Sequence, residues 1–493
     1  MSQKLKITMF KTANSGSNTY FLNQNIPNDI KTKYNIRLIT NEDAERDPHL
    51  HDSDIYINTH GQYMSSEEKI NIELWHGFPL KGMAKMDIQE TASSEKIHHY
   101  WSQLDKIMSY SPLYNTLMNA CNGARITQYS ITGMPRNDAL FNADSRDKLL
   151  KFFPELKDHK AAFFMPTFRR SVITPKKLEG GKDFHNIFGF ESFDKHSFQS
   201  FLTKNNLKFI VKLHPFEEAF YKQDIEEWKK YGLLFLTDEM LKRHALDLYE
   251  LLGAADLLIT DYSSVYFDYL LLDRPILFLP VDLQEYQQTR GFLIDPYDFW
   301  APGPKALTQD EMQQEAAKLL GEKSYFEQER ETIKKMVHSF TDNKSTERVW
   351  KEIDKTVSEV FQQRREEQNK KAEMEELQGK VRDQISKYIE QGSLELAEQT
   401  IKEYEQSSGT DAPILSIKGI LYFLQGKTDA AIDLLTAGHR LYDKDAHIMF
   451  NLGYIYQSVG NLNSASHYYT LAMKNSTEPE LLEAARQQVA QLS

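Results

Sequence analysis

Leu257-Leu258-Ile259-Thr260-Asp261-Tyr262-Ser263-Ser264-Val265-Tyr266-Phe267-Asp268 is the stretch that decides the fold. A short apolar run gives way to a polar turn and then to an amphipathic helix. An apolar run without alternation reads as a strand buried on both faces of a parallel sheet, and ligands bind beyond the carboxyl ends of such strands. Here Ser263 and Ser264 place two hydroxyls beside the free amides of a helix N-terminus, an anion site that needs no lysine. A plain Asp/Ser helix cap accounts for the same turn, but it does not call for two consecutive serines.

The pattern recurs on both sides of this stretch. Compact apolar runs at 161–165, 208–213, 233–236 and 275–279 each end in a polar or Gly/Pro cluster. Earlier runs lie at 6–10, 35–40, 54–59, 69–75 and 106–109, with helical stretches such as 112–121 between them. The alternation predicts two successive α/β units, Rossmann-like domains over residues 1–150 and 151–348 that face each other across a cleft.

A chain of 493 residues exceeds what one hydrophobic core supports. Apolar residues make up 40% and aromatics 12%, an ordinary globular composition. The net charge of −12 argues against a sequence-independent nucleic-acid binder, whose phosphate partner demands a basic surface. One cysteine, Cys121, excludes a disulfide framework and speaks against a cysteine zinc site. The N-terminus lacks the apolar core of a signal peptide, and no stretch approaches the ~18 uninterrupted apolar residues of a membrane span. A soluble cytoplasmic protein is expected.

Several other strand ends carry chemistry. Trp75-His76-Gly77 closes an apolar run; Gly77 admits a ligand to the backbone and His76 can take a proton near neutral pH, or it is simply a packed histidine at a turn. In Gly133-Met134-Pro135-Arg136-Asn137-Asp138, Arg136 either holds a phosphate or braces the loop against a carboxylate. Pro166-Thr167-Phe168-Arg169-Arg170 leads a strand into one hydroxyl and two guanidinium groups, which suit bidentate phosphate binding or form a surface pair. Leu213-His214-Pro215 puts a second histidine at a strand end. The stretch 282–304, with Tyr286, Arg290-Gly291-Phe292 and Pro302-Gly303-Pro304, reads as a rim of the cleft or an ordinary surface loop. His49, His51 and His60 lack the spacing of a metal pair and read as solvated. No Gly-x-Gly-x-x-Gly, Walker loop or Gly-x-Ser-x-Gly is present, which weakens dehydrogenase, nucleoside triphosphatase and serine hydrolase readings.

Residues 349–380 read as a charged helical linker, since 362–371 contains no apolar residue. Residues 381–493 carry an internal repeat. Tyr388, Tyr422 and Tyr456 are spaced by 34 residues, as are Gly392, Gly426 and Gly460, and Ala397, Ala431 and Ala465. Gly419 and Gly453 keep the same interval. The period resembles the tetratricopeptide repeat, in which small residues let paired helices approach and Tyr and Leu fill the groove between them.

Taken in order, Trp75-His76-Gly77…Lys81, Gly133…Asp138, Pro166-Thr167…Arg169, Leu213-His214-Pro215 and Thr260-Asp261-Tyr262-Ser263-Ser264…Asp268, then the 282–304 stretch, resemble the CDP-glycerol glycerophosphotransferase family of teichoic-acid and capsule polymerases. The resemblance covers about 72–304 and implies a GT-B fold with the donor held mainly by the second domain. It implies transfer of glycerol phosphate, or a related polyol phosphate, from a CDP-activated donor to a hydroxyl of a glycan or polyol-phosphate polymer, with release of CMP. His76 and His214 become the catalytic pair, the first as general base and the second on the donor pyrophosphate. Thr167, Arg169, Asp261, Ser263 and Ser264, with Gly77 and Arg136, become the donor-binding set. Neither cofactor nor metal is expected, because the helix end and basic side chains neutralise the pyrophosphate and no Asp-x-Asp pair occupies a strand end. The appended repeats imply docking of a protein partner or a second copy, and recruitment to the inner face of the cell membrane. Two alternatives stay open: a GT-B glycosyltransferase or sugar-phosphate transferase with another nucleotide-sugar donor, and a non-catalytic repeat scaffold.

Overall fold

Every strand in the computed structural model, which describes residues 4–61, 68–169, 186–218 and 221–492, belongs to one of two wholly parallel sheets. In the first, β1 (Leu5–Lys11), β2 (Tyr34–Thr40), β3 (Ile55–Asn58), β4 (Ile70–Glu73), β5 (Lys106–Ser109) and β6 (Tyr129–Ile131) run in the order β2-β1-β3-β4-β5-β6. In the second, β7 (Lys160–Met165), β8 (Leu207–Val211), β9 (Leu233–Phe235), β10 (Leu257–Thr260) and β11 (Ile276–Phe278) run in the order β11-β10-β7-β8-β9. The direction of winding reverses between β1 and β3 and between β7 and β10, and these reversals open crevices at the carboxyl ends of the strands. Register then places particular residues there. Asn58 lies opposite Glu73, so the loops after β3 and β4 leave the sheet side by side. Thr260 lies opposite Met165, so the loops after β7 and β10 do the same.

Burial follows the apolar runs. Ile7, Met9, Ile55, Ile57, Ile70 and Ile72 form the core of the first lobe, and Phe164, Phe198, Phe209 and Ile259 belong to that of the second. A further cluster bridges the lobes, with the Phe78 and Phe267 ring centroids 4.6 Å apart. The chain passes from the first lobe to the second after β6, and returns between the helices Glu327–Val337 and Ser345–Glu390.

That last helix corrects the expected linker. Residues 349–380 are not wholly solvated: Val349, Trp350, Ile353 and Val357 are buried in the core of the first lobe, and Trp350 Nε1 donates to Leu22 O at 3.1 Å. The compact units divide after Val360 rather than at 348, and only beyond it does the charged run 362–371 lie at the surface.

The second unit, Phe361–Ser493, is helical throughout its described residues. The helices Leu394–Ser408, Ala412–Leu424, Thr428–Leu441, Ala446–Ser458 and Leu462–Asn475 follow the 34-residue spacing, and Pro479–Leu492 closes the series. Gly392, Gly426 and Gly460 take φ of 74°, 77° and 80° at equivalent turns, which explains their periodicity. Ala397, Ala431 and Ala465 are fully buried. Among the described residues no helix is long and apolar enough to cross a membrane.

Candidate active site

Two loops from opposite lobes meet. A Cβ added to Gly77, after β4, would lie 2.9 Å from Ser264 Oγ, after β10. A side chain at 77 would have to displace the Ser264 hydroxyl, so glycine suits the close approach of the His76–Gly77 backbone to that serine. His76 is half-buried at the meeting point. Its Nδ1 lies 3.2 Å from Thr59 O. A carbonyl can only accept, so Nδ1 carries the hydrogen and the lone pair is on Nε2. Burial, reinforced by the Arg136 guanidinium and only partly opposed by the Thr59 bond, pushes the imidazole down to about 4. His76 is therefore neutral across the physiological range.

Glu73, at the end of β4, is fully buried and accepts from Trp75 N at 2.7 Å and Gly61 N at 2.9 Å. One carboxylate thus ties together the loops after β3 and β4. Burial lifts its pKa to about 7 against these backbone hydrogen bonds.

Arg136 spans the lobes. Its Nη1 donates to His76 O at 2.5 Å and Gly16 O at 3.2 Å, and its Nη2 to Asp268 Oδ2 at 2.5 Å and Tyr110 Oη at 3.3 Å. Asp268 also accepts from Asn137 Nδ2 at 3.1 Å and Tyr249 Oη at 2.6 Å. At 3% exposure Arg136 braces the loop of His76 against the second lobe.

Arg169 is held by carboxylates in the same way. It is 3% exposed. Its Nε and Nη2 reach Asp282 at 2.8 and 3.0 Å, Nη2 reaches Asp261 at 2.8 Å, and Nη1 donates to Thr167 O at 2.6 Å. Tyr262 and Tyr286 stack at 4.1 Å, and the guanidinium lies over both rings at 5.1 and 5.2 Å. Asp261 also accepts from Thr167 N at 2.8 Å and Tyr262 N at 2.5 Å, so it shapes the turns after β7 and β10 together. These paired charges brace the turns after β7 and β10, and Arg169 and Asp261 also line the adjoining cavity.

The neutral members of the expected set stand differently. Thr167 is 6% exposed and its Oγ1 has no hydrogen-bond partner among the described residues, next to a cavity lined by Phe164, Arg169, Asn186, Phe188, Leu213 and Asp261. Ser263 and Ser264 are half-buried, and Ser264, at the N-cap of the helix Val265–Tyr269, makes no side-chain cap hydrogen bond. His214 follows β8, with its ring on Phe168 at 4.7 Å, one residue from Thr167. The residues 261–264 join the two groups, with Asp261 on the Thr167–Arg169 side and Ser264 against Gly77. Arg170 lies outside the described residues.

One neighbour of His76 escaped the sequence. His60 lies flat on its ring, centroids 3.9 Å apart and planes 2° from parallel. The signal was there: Thr59-His60-Gly61 ends β3 as Trp75-His76-Gly77 ends β4. Among the described residues no group of three or more His, Cys, Asp or Glu side chains is placed to hold a metal ion.

Two parallel-sheet lobes joined by two chain crossings, with strand-end loops converging between them, define the GT-B class. Residues 9–355 match the model of the CDP-glycerol:poly(glycerophosphate) glycerophosphotransferase family, and the chain belongs to that family. It is 31% identical over 293 residues to the teichoic acid poly(ribitol-phosphate) polymerase of Bacillus spizizenii, covering 57% of this chain and 42% of that protein. It is 27% identical over 253 residues to the poly(glycerol phosphate) polymerase of the same organism, covering 49% and 59%. The chain thus spans about half the length of these curated relatives. The solved wall teichoic acid polymerase TagF superposes with a TM-score of 0.56 at 18% identity, covering 72% of this chain and 90% of that one.

Proposed function

We propose that this chain transfers glycerol phosphate, or a related polyol phosphate, from a CDP-activated donor to a hydroxyl of a growing teichoic-acid-like or capsular polymer, releasing CMP. The observation that carries the reading is the meeting of the His76–Gly77 loop with Ser264 across the cleft, at the strand ends of both lobes. The family and the polymerase relatives support the same chemistry.

In this reading the acceptor O–H gives its proton to Nε2 of His76 as its oxygen bonds to the polyol-bearing phosphorus. The bond from that phosphorus to the bridging oxygen breaks, and CMP departs with the electron pair. His214, the hydroxyls of Ser263, Ser264 and Thr167 and the amides of the turn after β10 offset the charge on the pyrophosphate. Arg136, Arg169 and Asp261 hold these groups in place and touch no substrate. An imidazole titrating near 4 is always available but only weakly basic, so alignment and charge neutralisation supply most of the acceleration. No metal takes part, and a protein partner bound by the helical repeats brings the enzyme to a membrane-borne acceptor.

Incubation with CDP-glycerol or CDP-ribitol and a teichoic-type acceptor should release CMP, with EDTA leaving the rate unchanged. His76→Ala and His214→Ala should each lower kcat by roughly 10²–10⁴-fold. Full activity in both variants would refute the assignment.

A further inference from the structure

The loop after β3 does more than border the site. Thr59 O fixes which nitrogen of His76 carries the hydrogen. The next residue, His60, covers one face of the ring in a parallel stack at 3.9 Å. His60 is itself held, its Nδ1 3.1 Å from Thr12 Oγ1 in the loop after β1. The loop is anchored twice more to the His76 strand, by Gly61 N on Glu73 and by Thr59 Oγ1 on Trp75 O at 2.9 Å. Thr12 and His60 flank the β1/β3 reversal, where a bound substrate is expected in a sheet of this order.

The χ2 torsion of a histidine is broad and roughly two-fold, so one 3.2 Å bond leaves the ring plane poorly defined. A parallel ring at van der Waals distance removes that freedom. We propose that His60 is a positioning residue for the transfer: stacked on His76, it holds the imidazole plane so that the Nε2 lone pair faces the acceptor hydroxyl. The inference rests on the reading of His76 as the base. His60 exchanges no proton in this role; what it supplies is a flat ring. The charged and titratable groups around His76 are His60 from the β3 loop, Glu73 in β4, and Arg136 from the helix Pro135–Asp138 with Asp268 of the second lobe behind it.

The test uses the full-length protein. His60→Ala should lower kcat about 10–100-fold, the cost of a misaligned reacting group, while the KM for CDP-glycerol changes less than about twofold. His60→Phe keeps a flat ring without a titrating nitrogen and should restore kcat to within about threefold of the parent. Thr12→Val should produce a smaller loss in the same direction. Once its plane is released, the His76 ring in His60→Ala turns away from the Thr59 carbonyl part of the time, so long-range ¹H–¹⁵N spectra of ¹⁵N-histidine protein should show a single Nδ1–H tautomer in the parent and a mixture in the variant. The proposal is overturned if His60→Ala keeps the parental kcat, or if His60→Phe is as impaired as His60→Ala, which would give the ring nitrogen a chemical task. Should the parent release no CMP from either CDP-polyol, the reading of the reaction fails. The tautomer comparison still decides the positioning role: a mixture in His60→Ala sustains it, and an unchanged single tautomer overturns it.

Discussion

Glu73 has a folded-state pKa of about 7, well above the value of an exposed carboxyl, because burial penalises its charge. The folded protein holds this proton more tightly than the unfolded chain, so the stabilisation is complete below the ordinary carboxylate range and disappears as pH climbs to about 7. Asp247, pushed up to about 6 chiefly by burial, adds a second contribution of the same sign. The unfolding free energy should therefore fall between pH 5 and 8, by roughly 2–3 kcal/mol for Glu73 alone. Denaturant titrations across that range measure the slope, and Glu73→Gln should flatten it. At Arg169 the expectation concerns charge pairing. Lysine keeps the charge but cannot span Asp261 and Asp282, and breaking a buried pair costs roughly 3–5 kcal/mol. Arg169→Lys should accordingly shift the urea midpoint downward while leaving the far-ultraviolet circular dichroism of the remaining folded protein unchanged. Both arginines show the limit of reading single residues. Arg136 and Arg169 stand at strand ends as phosphate ligands would, but their partners, Asp268 and Asp282, lie more than a hundred residues away in the chain. Only the folded lobes reveal that those charges are already matched. His60 is the opposite case, since its place at a strand end was legible and its polar neighbourhood hid it.

Elements were easier to read than contacts. Ten strand runs in the sequence match β1–β5 and β7–β11 to within a few residues, because a strand buried on both faces must be apolar throughout. The missed strand, β6, has only three residues, Tyr129–Ile131, too few to show a pattern against the Gly133–Pro135 loop that follows. The repeats were legible for a different reason: each periodic glycine answers a steric demand. A Cβ on Gly453 would meet the Tyr469 ring at 2.8–3.0 Å, and one on Gly419 would meet Leu435 at 2.4–2.7 Å. Gly453→Ala should destabilise the repeat unit, since overpacking costs typically ~1–3 kcal/mol and better helix propensity returns at most ~1 kcal/mol. Gly426→Ala, at φ +77° with nothing within 4 Å, should cost only the backbone strain of about 1–2 kcal/mol. Thermal melts followed at 222 nm rank the two.

At the scale of the whole molecule, the helix Ser345–Glu390 was misplaced because charge dominates its composition while only four of its residues enter the core of the first lobe. Each of those apolar side chains contributes roughly 1.5–3 kcal/mol on burial, a sum comparable to the stability of an entire domain. A chain ending at residue 360 should fold cooperatively. One ending at 348 should not, and limited proteolysis of the two distinguishes them. The return of this helix to the first lobe means that the backbone passes between the lobes twice. Like a door hung on two pins, such a pair cannot twist about a single point; it swings about the line through both. Any swing that parts the lobes at Arg136 and Asp268 also tugs the carbonyl of His76 through the same guanidinium. In the proposed mechanism an open molecule would be disarmed, since a stray water would find no aligned base beside an activated phosphate.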